Sequence, residues 1–314
     1  MRKIITLLLL FSCLIGIAQN ANNFSISSIS TTAQNQIIFS PSQVVGADIS
    51  YSSITKGKYE ITLTVFYSCL LNEADVKKTE EVVIFEAFGS KANPPFSLKL
   101  ISSEKKTKPQ SNVCSQTEIC IIEAIYKGEI ELMPVPHGYN IVWNSCCIQS
   151  PLSNLDFVNN VGFNIVAHIT DANTIEKNSM PTFNNLPVTN VCVNQTTNVN
   201  INGADKDGDS LVYELQAPLA VSNNSMNNAS TTTNSNAPSR LPDPPPYPEV
   251  KFANGYSFAN PLGNKAITLN KQTGVMQIKV AATGNYLLGY SIKEYRKGIL
   301  LSANQRVIII SVQP

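Results

Sequence analysis

Three carboxylates fall at alternate positions in "ADKDGDSLVY" (204 to 213): Asp205, Asp207 and Asp209, with Gly208 between the last two. A glycine that permits a sharp turn lets such oxygens converge on a hard cation, and calcium favours clusters of this kind. The spacing excludes the EF-hand, because the glycine comes at the fourth loop position and Gln216 stands where that loop needs a bidentate glutamate. Further ligands must then come from elsewhere, and Glu294 in "IKEYRKG" is a candidate. The competing reading is a solvated acidic turn whose aspartates satisfy local backbone donors. A closed oxygen cage would stiffen the fold and leave no activated water. Calcium is therefore expected here as a structural ion.

Other chemistry finds little support. No G-x-S-x-G elbow, H-E-x-x-H helix or phosphate-cradling glycine loop is present. His137 reads as a turn residue in "PVPHGYN", and His168, alternating with Ala167 and Ile169, is expected to face solvent or a polar neighbour. No catalytic residues are assigned, and the chain is expected not to be an enzyme. A sugar-binding surface would use exposed aromatic rings. Tyr256 and Phe258, in a glycine- and asparagine-rich loop, are the candidates for one, whereas Trp143 beside "SCC" reads as a core tryptophan packed on a disulfide.

The cysteines depend on where the chain is used. "MRKIITLLLLFSCLIGIAQN" has a basic start, an apolar run and a small-residue exit, the pattern of a secretory signal over residues 1–18. "LFSC" loosely resembles a lipoprotein signal at Cys13, but Phe11 and the continuing apolar run fit that pattern poorly. Beyond the signal stand Cys69, Cys114, Cys120, Cys146, Cys147 and Cys192, an even set in an exported chain, which predicts disulfides. Short spacing favours a Cys114–Cys120 bridge. Adjacent Cys146 and Cys147 are expected to reach two different partners, with Cys69 and Cys192 as the remaining candidates. No C-x-x-C pair supports zinc.

The elements that must position these residues are strands. "KYEITLTVFY" puts Tyr59, Ile61, Leu63, Val65 and Tyr67 on one face, and similar segments recur through "EVVIFEAF", "YNIVW", "VGFNIVAHIT", "SLVYEL", "VMQIKV" and "QRVIIISV". Helical periodicity is not convincing anywhere in the mature chain, so the prediction is all-β: two antiparallel β-sandwiches in tandem. The boundary is placed near residue 180, where prolines and asparagines interrupt the pattern, giving domains at 19–180 and 181–314. Within the second, 221–250 starts as an Asn/Ser/Thr tract and ends in "PDPPPYP". The tract is expected to be mobile, and the proline run to be an extended edge connection inside the domain. Net charge of +1 offers no field for nucleic acid, and no later apolar stretch reaches the roughly 20 residues of a membrane helix.

"VVGADISYSSITKGKYEITLTVFYSC", "GYNIVWNSCC", "PTFNNLPVTNVCVN", "ADKDGDSLVYEL", "PPPYPEVKFANGYSFANPLG" and "EYRKGILLS" occur in this order. Together they resemble the N-terminal region of large bacterial surface proteins associated with gliding motility and type IX secretion. The second half, with "QTGVMQI" and "TGNYLLGY" after the aspartate loop, also resembles the cadherin-like immunoglobulin-fold domains of bacterial adhesins. The resemblance implies a secreted, cell-surface or periplasmic protein with an adhesin-like or structural role, bound to an envelope protein or a glycan. A carbohydrate-binding or lectin-like module is the alternative.

Overall fold

A computed structural model describes residues 44–87, 94–108, 119–148, 151–156, 161–221 and 241–314. Among them are no α-helices and one short 3-10 turn at Glu73–Asp75, so the fold is all-β. No helix of the described residues is long and apolar enough to cross a membrane. The strands are β1 (Val44–Thr55), β2 (Lys58–Ser68), β3 (Thr79–Glu86), β4 (Phe96–Lys108), β5 (Ile119–Glu131), β6 (Tyr139–Ile148), β7 (Val161–Ile169), β8 (Thr182–Phe183) and β9 (Asn190–Cys192). They continue as β10 (Thr197–Asn200), β11 (Gly203–Ala204), β12 (Ser210–Leu215), β13 (Leu219–Ala220), β14 (Ile267–Leu269), β15 (Val275–Ile278), β16 (Gly284–Arg296) and β17 (Ile299–Gln313).

The main sheet runs β12-β16-β17-β1-β2-β5-β4-β3-β6-β7-β13, antiparallel throughout, with β9 added in parallel to the end of β17. Strand β3 carries the fold-over. Its residues Thr79–Val82 pair with β4 while Val83–Glu86 pair with β6, so β6 and β7 come back to lie over β1 and β17. The space enclosed is the first core. Tyr59, Ile61, Leu63, Val65 and Tyr67, alternating in the sequence, all enter it and meet Ile141, Trp143, Ile165 and Ala167 from the opposite layer.

Strands β16 and β17 are apolar on both faces. Leu287, Val307 and Ile309 point into the first core; Leu288, Tyr290, Ile292, Ile308, Ile310 and Val312 point the other way, into a second core closed by Val199, Tyr213, Met276 and Ile278. A buried Ile or Leu contributes roughly 1.5–3 kcal/mol relative to exposure, so both faces need cover. The small sheet β10-β15-β14 helps to supply it on the second face. The strand pairing does not bear out two separate sandwiches in tandem: the two cores share one strand pair, and β17 pairs directly with β1.

The disulfide expectation is corrected as well. Cys120 is bonded to Cys69, not to Cys114, which lies outside the described residues. The reason is register: β2 and β5 pair with Ser68 opposite Ile121, so the next pair outward is Cys69 and Cys120. Cys192 is also disulfide-bonded, while the side chains of Cys146 and Cys147 lie outside the described residues. The proline run, expected as an edge connection inside the second domain, packs largely on strands of the first half instead: Leu241 and Tyr247 lie against Val83, Phe85 and Val142, and Pro248 accepts the Ala220 N–H at 2.8 Å. The Asn/Ser/Thr tract lies outside the described residues from 222 to 240.

One charged pair is buried where the layers meet. Arg306 of β17 donates from Nε to Asp48 Oδ2 of β1 at 2.7 Å and from Nη1 to the Asn185 carbonyl at 2.6 Å. Its guanidinium lies 4.1 Å from the Phe183 ring centroid and 5.0 Å from that of Phe66. Asp48→Ala should cost about 3–5 kcal/mol in urea unfolding, because Arg306 would remain buried and uncompensated. Asp48→Leu combined with Arg306→Met should recover most of it. Peptide mapping without reductant should recover a Cys69–Cys120 cross-link. With a sequence separation of 51 residues, breaking it should lower stability by on the order of 4 kcal/mol.

Candidate functional site

The aspartate loop lies between two strands anchored in different places. β11 pairs with β8, and β12 pairs with β16 in a register that sets Ser210 opposite Tyr295 and Leu211 opposite Glu294. Five residues therefore have to turn beside the tip of the β16–β17 hairpin. Gly208 makes the turn at φ 83°, a conformation that costs other residues a steric penalty.

Each aspartate is engaged differently. Asp205 Oδ1 accepts the backbone N–H groups of Asp207 at 3.0 Å and Asp209 at 2.7 Å, closing the loop on itself. Asp207 Oδ2 accepts the Ser179 N–H at 2.6 Å, tying the loop to the segment that leads into β8. Asp209 takes a two-pronged contact from Arg296, at 2.9 Å from Nε and 2.7 Å from Nη2. Such charge-assisted bidentate pairs are the stronger class of hydrogen bond. The same guanidinium donates to the Lys177 carbonyl at 3.0 Å and to Asn178 Oδ1 at 2.9 Å. Asn178 donates in turn to Glu294 Oε1 and to the Tyr51 hydroxyl, and Lys206 reaches Ser52 Oγ at 3.1 Å.

Asp205, Asp209 and Glu294 present oxygens that all lie within 4.8 Å of one another and could hold a metal ion. Asp207, expected in that set, is turned away to Ser179. Within the cluster Asp209 already faces Arg296. That leaves Asp205 Oδ2 and Glu294 Oε2, both buried and, among the described residues, without a hydrogen bond of ordinary geometry. Glu294 is fully buried. Burial pushes its carboxyl up to about 8, with the Asp205 carboxylate adding to the rise and Asn178 and Ser302 working against it. Two facing carboxyl oxygens in a dry site repel unless a proton or a cation lies between them.

Sequence reasoning missed Asn178 and Arg296. The signal for Arg296 was its position two residues beyond Glu294 on one strand, hence on the same face. Glu80 was missed too. It occupies an inward position alternating with Val82 and Ile84, and accepts the Trp143 indole N–H at 3.1 Å and the Tyr67 hydroxyl at 3.5 Å. Trp143 is thus a core residue, its indole held by a carboxylate.

The remaining candidates do not join the cluster. His168 pairs across the strands with Asn140 at 3.0 Å, and burial lowers its imidazole pKa. His137 is in the turn before β6 with φ 66°. Tyr256 packs against the Tyr286 ring at 6.1 Å, whereas Phe258 stands 49% exposed. Compared with known protein families, with curated proteins and with solved structures, the chain gives no match.

Because the folded state holds a proton on Glu294 that the unfolded chain releases above its ordinary 4.5, this group's stabilisation is complete below 4.5 and is lost as pH rises through about 8. His168 acts in the opposite direction around its ordinary 6.5, so the informative quantity is a difference. In chelator, Glu294→Gln should melt progressively closer to, and then above, wild type as pH rises across that window. A constant difference in melting temperature would refute the assignment.

Proposed function

We propose that this chain is an exported, non-enzymatic protein of the cell surface or cell envelope with an adhesin-like or structural binding role, and that calcium fills its carboxylate cluster as a structural ion. The observation that carries this reading is how the aspartate loop is used. Its carboxylates bind Ser179, Arg296 and the loop's own backbone, and the oxygens left over face Glu294 in a buried gap. A cation there would complete a junction of chain segments; it would have no open side at which to activate a substrate. The donors are hard oxygens, the type that calcium takes. The bond between Cys69 and Cys120 suits an oxidising compartment, in agreement with the signal-like start of the chain. The ordered motifs shared with gliding-associated surface proteins, and the cadherin-like pattern of the second half, supply the adhesin-like part of the reading; an envelope protein or a glycan is the partner expected from it.

Binding calcium requires the Glu294 proton to leave, so affinity should rise with pH. An ion that binds only the folded state, at a hundredfold its dissociation constant, stabilises by about 2.7 kcal/mol. Millimolar calcium should therefore raise the melting temperature by several degrees, more at alkaline than at mildly acidic pH. Asp205→Asn and Glu294→Gln should abolish the shift, and Asp207→Asn should retain part of it. Identical curves in calcium and in chelator would sink the calcium assignment. Recovery of the native protein only from the cytosol would sink the envelope role.

A further inference from the structure

The chain contains two Asn-Gly dipeptides, Asn202–Gly203 and Asn254–Gly255. An asparagine followed by glycine can lose its side-chain nitrogen when the next main-chain nitrogen reaches its Cγ, and glycine favours this because no Cβ blocks the approach. The fold treats the two sites in opposite ways. At the first, Gly203 lies in β11 and donates its N–H to the Tyr213 hydroxyl at 3.2 Å. Asn202 Oδ1 accepts from Asn185 Nδ2 at 2.7 Å, and its own N–H is bound to Asn200 Oδ1 at 3.0 Å. The backbone there is hemmed in as well: a Cβ on Gly203 would meet Ile292 Cδ1 and the Thr182 carbonyl at 2.4 Å. Neither the nucleophilic nitrogen nor the target carbon is free to move.

At the second site no hydrogen bond among the described residues holds either group. Asn254 and Gly255 are the exposed central residues of a turn closed by the Tyr256 N–H on the Ala253 carbonyl at 3.0 Å. Gly255 has φ 88° with no atom within 4 Å of where a Cβ would stand. We propose that Asn254–Gly255 is a site of spontaneous deamidation in the folded protein and that Asn202–Gly203 is protected by its packing. The Gly255 nitrogen gives up its proton to solvent and bonds to Asn254 Cγ; the Cγ–Nδ2 bond breaks and ammonia leaves. Water then opens the cyclic imide at either carbonyl, which restores the main-chain N–H and leaves an aspartyl or isoaspartyl residue. The turn leads directly into Tyr256 and the exposed Phe258, so the reaction adds a negative charge to the loop that carries the most exposed aromatic ring of this region.

The test is to hold the full-length folded protein in mildly alkaline buffer and follow both sites by peptide mass mapping and isoaspartate detection, with a denatured sample in parallel. Trypsin isolates the second site between Lys251 and Lys265. In the folded protein the 254 peptide should gain the deamidated mass while the 202 peptide stays unchanged; in denaturant both should convert. Gly255→Ala should slow the reaction at 254, and Asn254→Gln should nearly stop it, with the fold of each variant checked by its melting curve. Equal conversion of both sites in the folded protein would overturn the proposal, as would a 254 site that reacts only in denaturant.

Discussion

Arg306 is charged, almost wholly buried, and placed where four strands and a loop meet. Desolvating such a group costs several kcal/mol unless its donors are met. Asp48 on β1 and the Asn185 carbonyl meet them, with Phe66 of β2 and Phe183 of β8 stacked on its two sides. Asp48 and Arg306 are direct register partners. The strands around them, "VVGADISY" and "RVIIISV", are apolar enough that burial alone would tolerate a slip. A shift of one residue would turn both charges to the wrong face and leave each buried alone. Gly46 adds a steric limit, since a Cβ there would come within 2.7 Å of the Val307 carbonyl.

With that register set, the rest of the second face follows from Arg306 toward the hairpin tip. Tyr290 lies opposite Arg306, Ile292 opposite Asn304, and Glu294 opposite Ser302. The face changes along this row from apolar to polar. Asn304 donates to the Pro181 carbonyl at 2.8 Å and Glu294 receives Asn178, so the chain between 177 and 185 is held by successive side chains of one strand pair. The aspartate loop is the outermost member of this seam. Its position depends on β12 pairing with β16, and its charges are balanced by Arg296, the last residue of β16.

The same geometry puts the carboxylates to use as fasteners: Asp207 holds the Ser179 N–H, Asp209 holds Arg296, and Glu294 is closed in by Asn178, Asp205 and the hairpin. What its burial creates is an unbalanced pair of oxygens, a local cost that a proton or an ion offsets. Proton uptake at Glu294, or a cation held by the cluster, would therefore bear on how the loop and segment 177–179 attach to the sheet.

Strand content, the inward set of β2 and the burial of Trp143 were legible in the sequence, because alternation is a local property. The pairing of distant strands decided that Cys69 meets Cys120, that two cores share β16 and β17, and that Glu294, already a candidate from the sequence, is joined by Arg296 beside Asp205 and Asp209 while Asp207 leaves them. Each of these depends on which strands pair and in what register, over separations of tens to hundreds of residues. The run "RVIIISV" is grouped by sequence with the alternating strands, although its lack of alternation is a signal for burial on both faces. Nothing local in the sequence could say which two layers would cover it, since that choice rests on the fold-over at β3 and on a single buried arginine finding its aspartate.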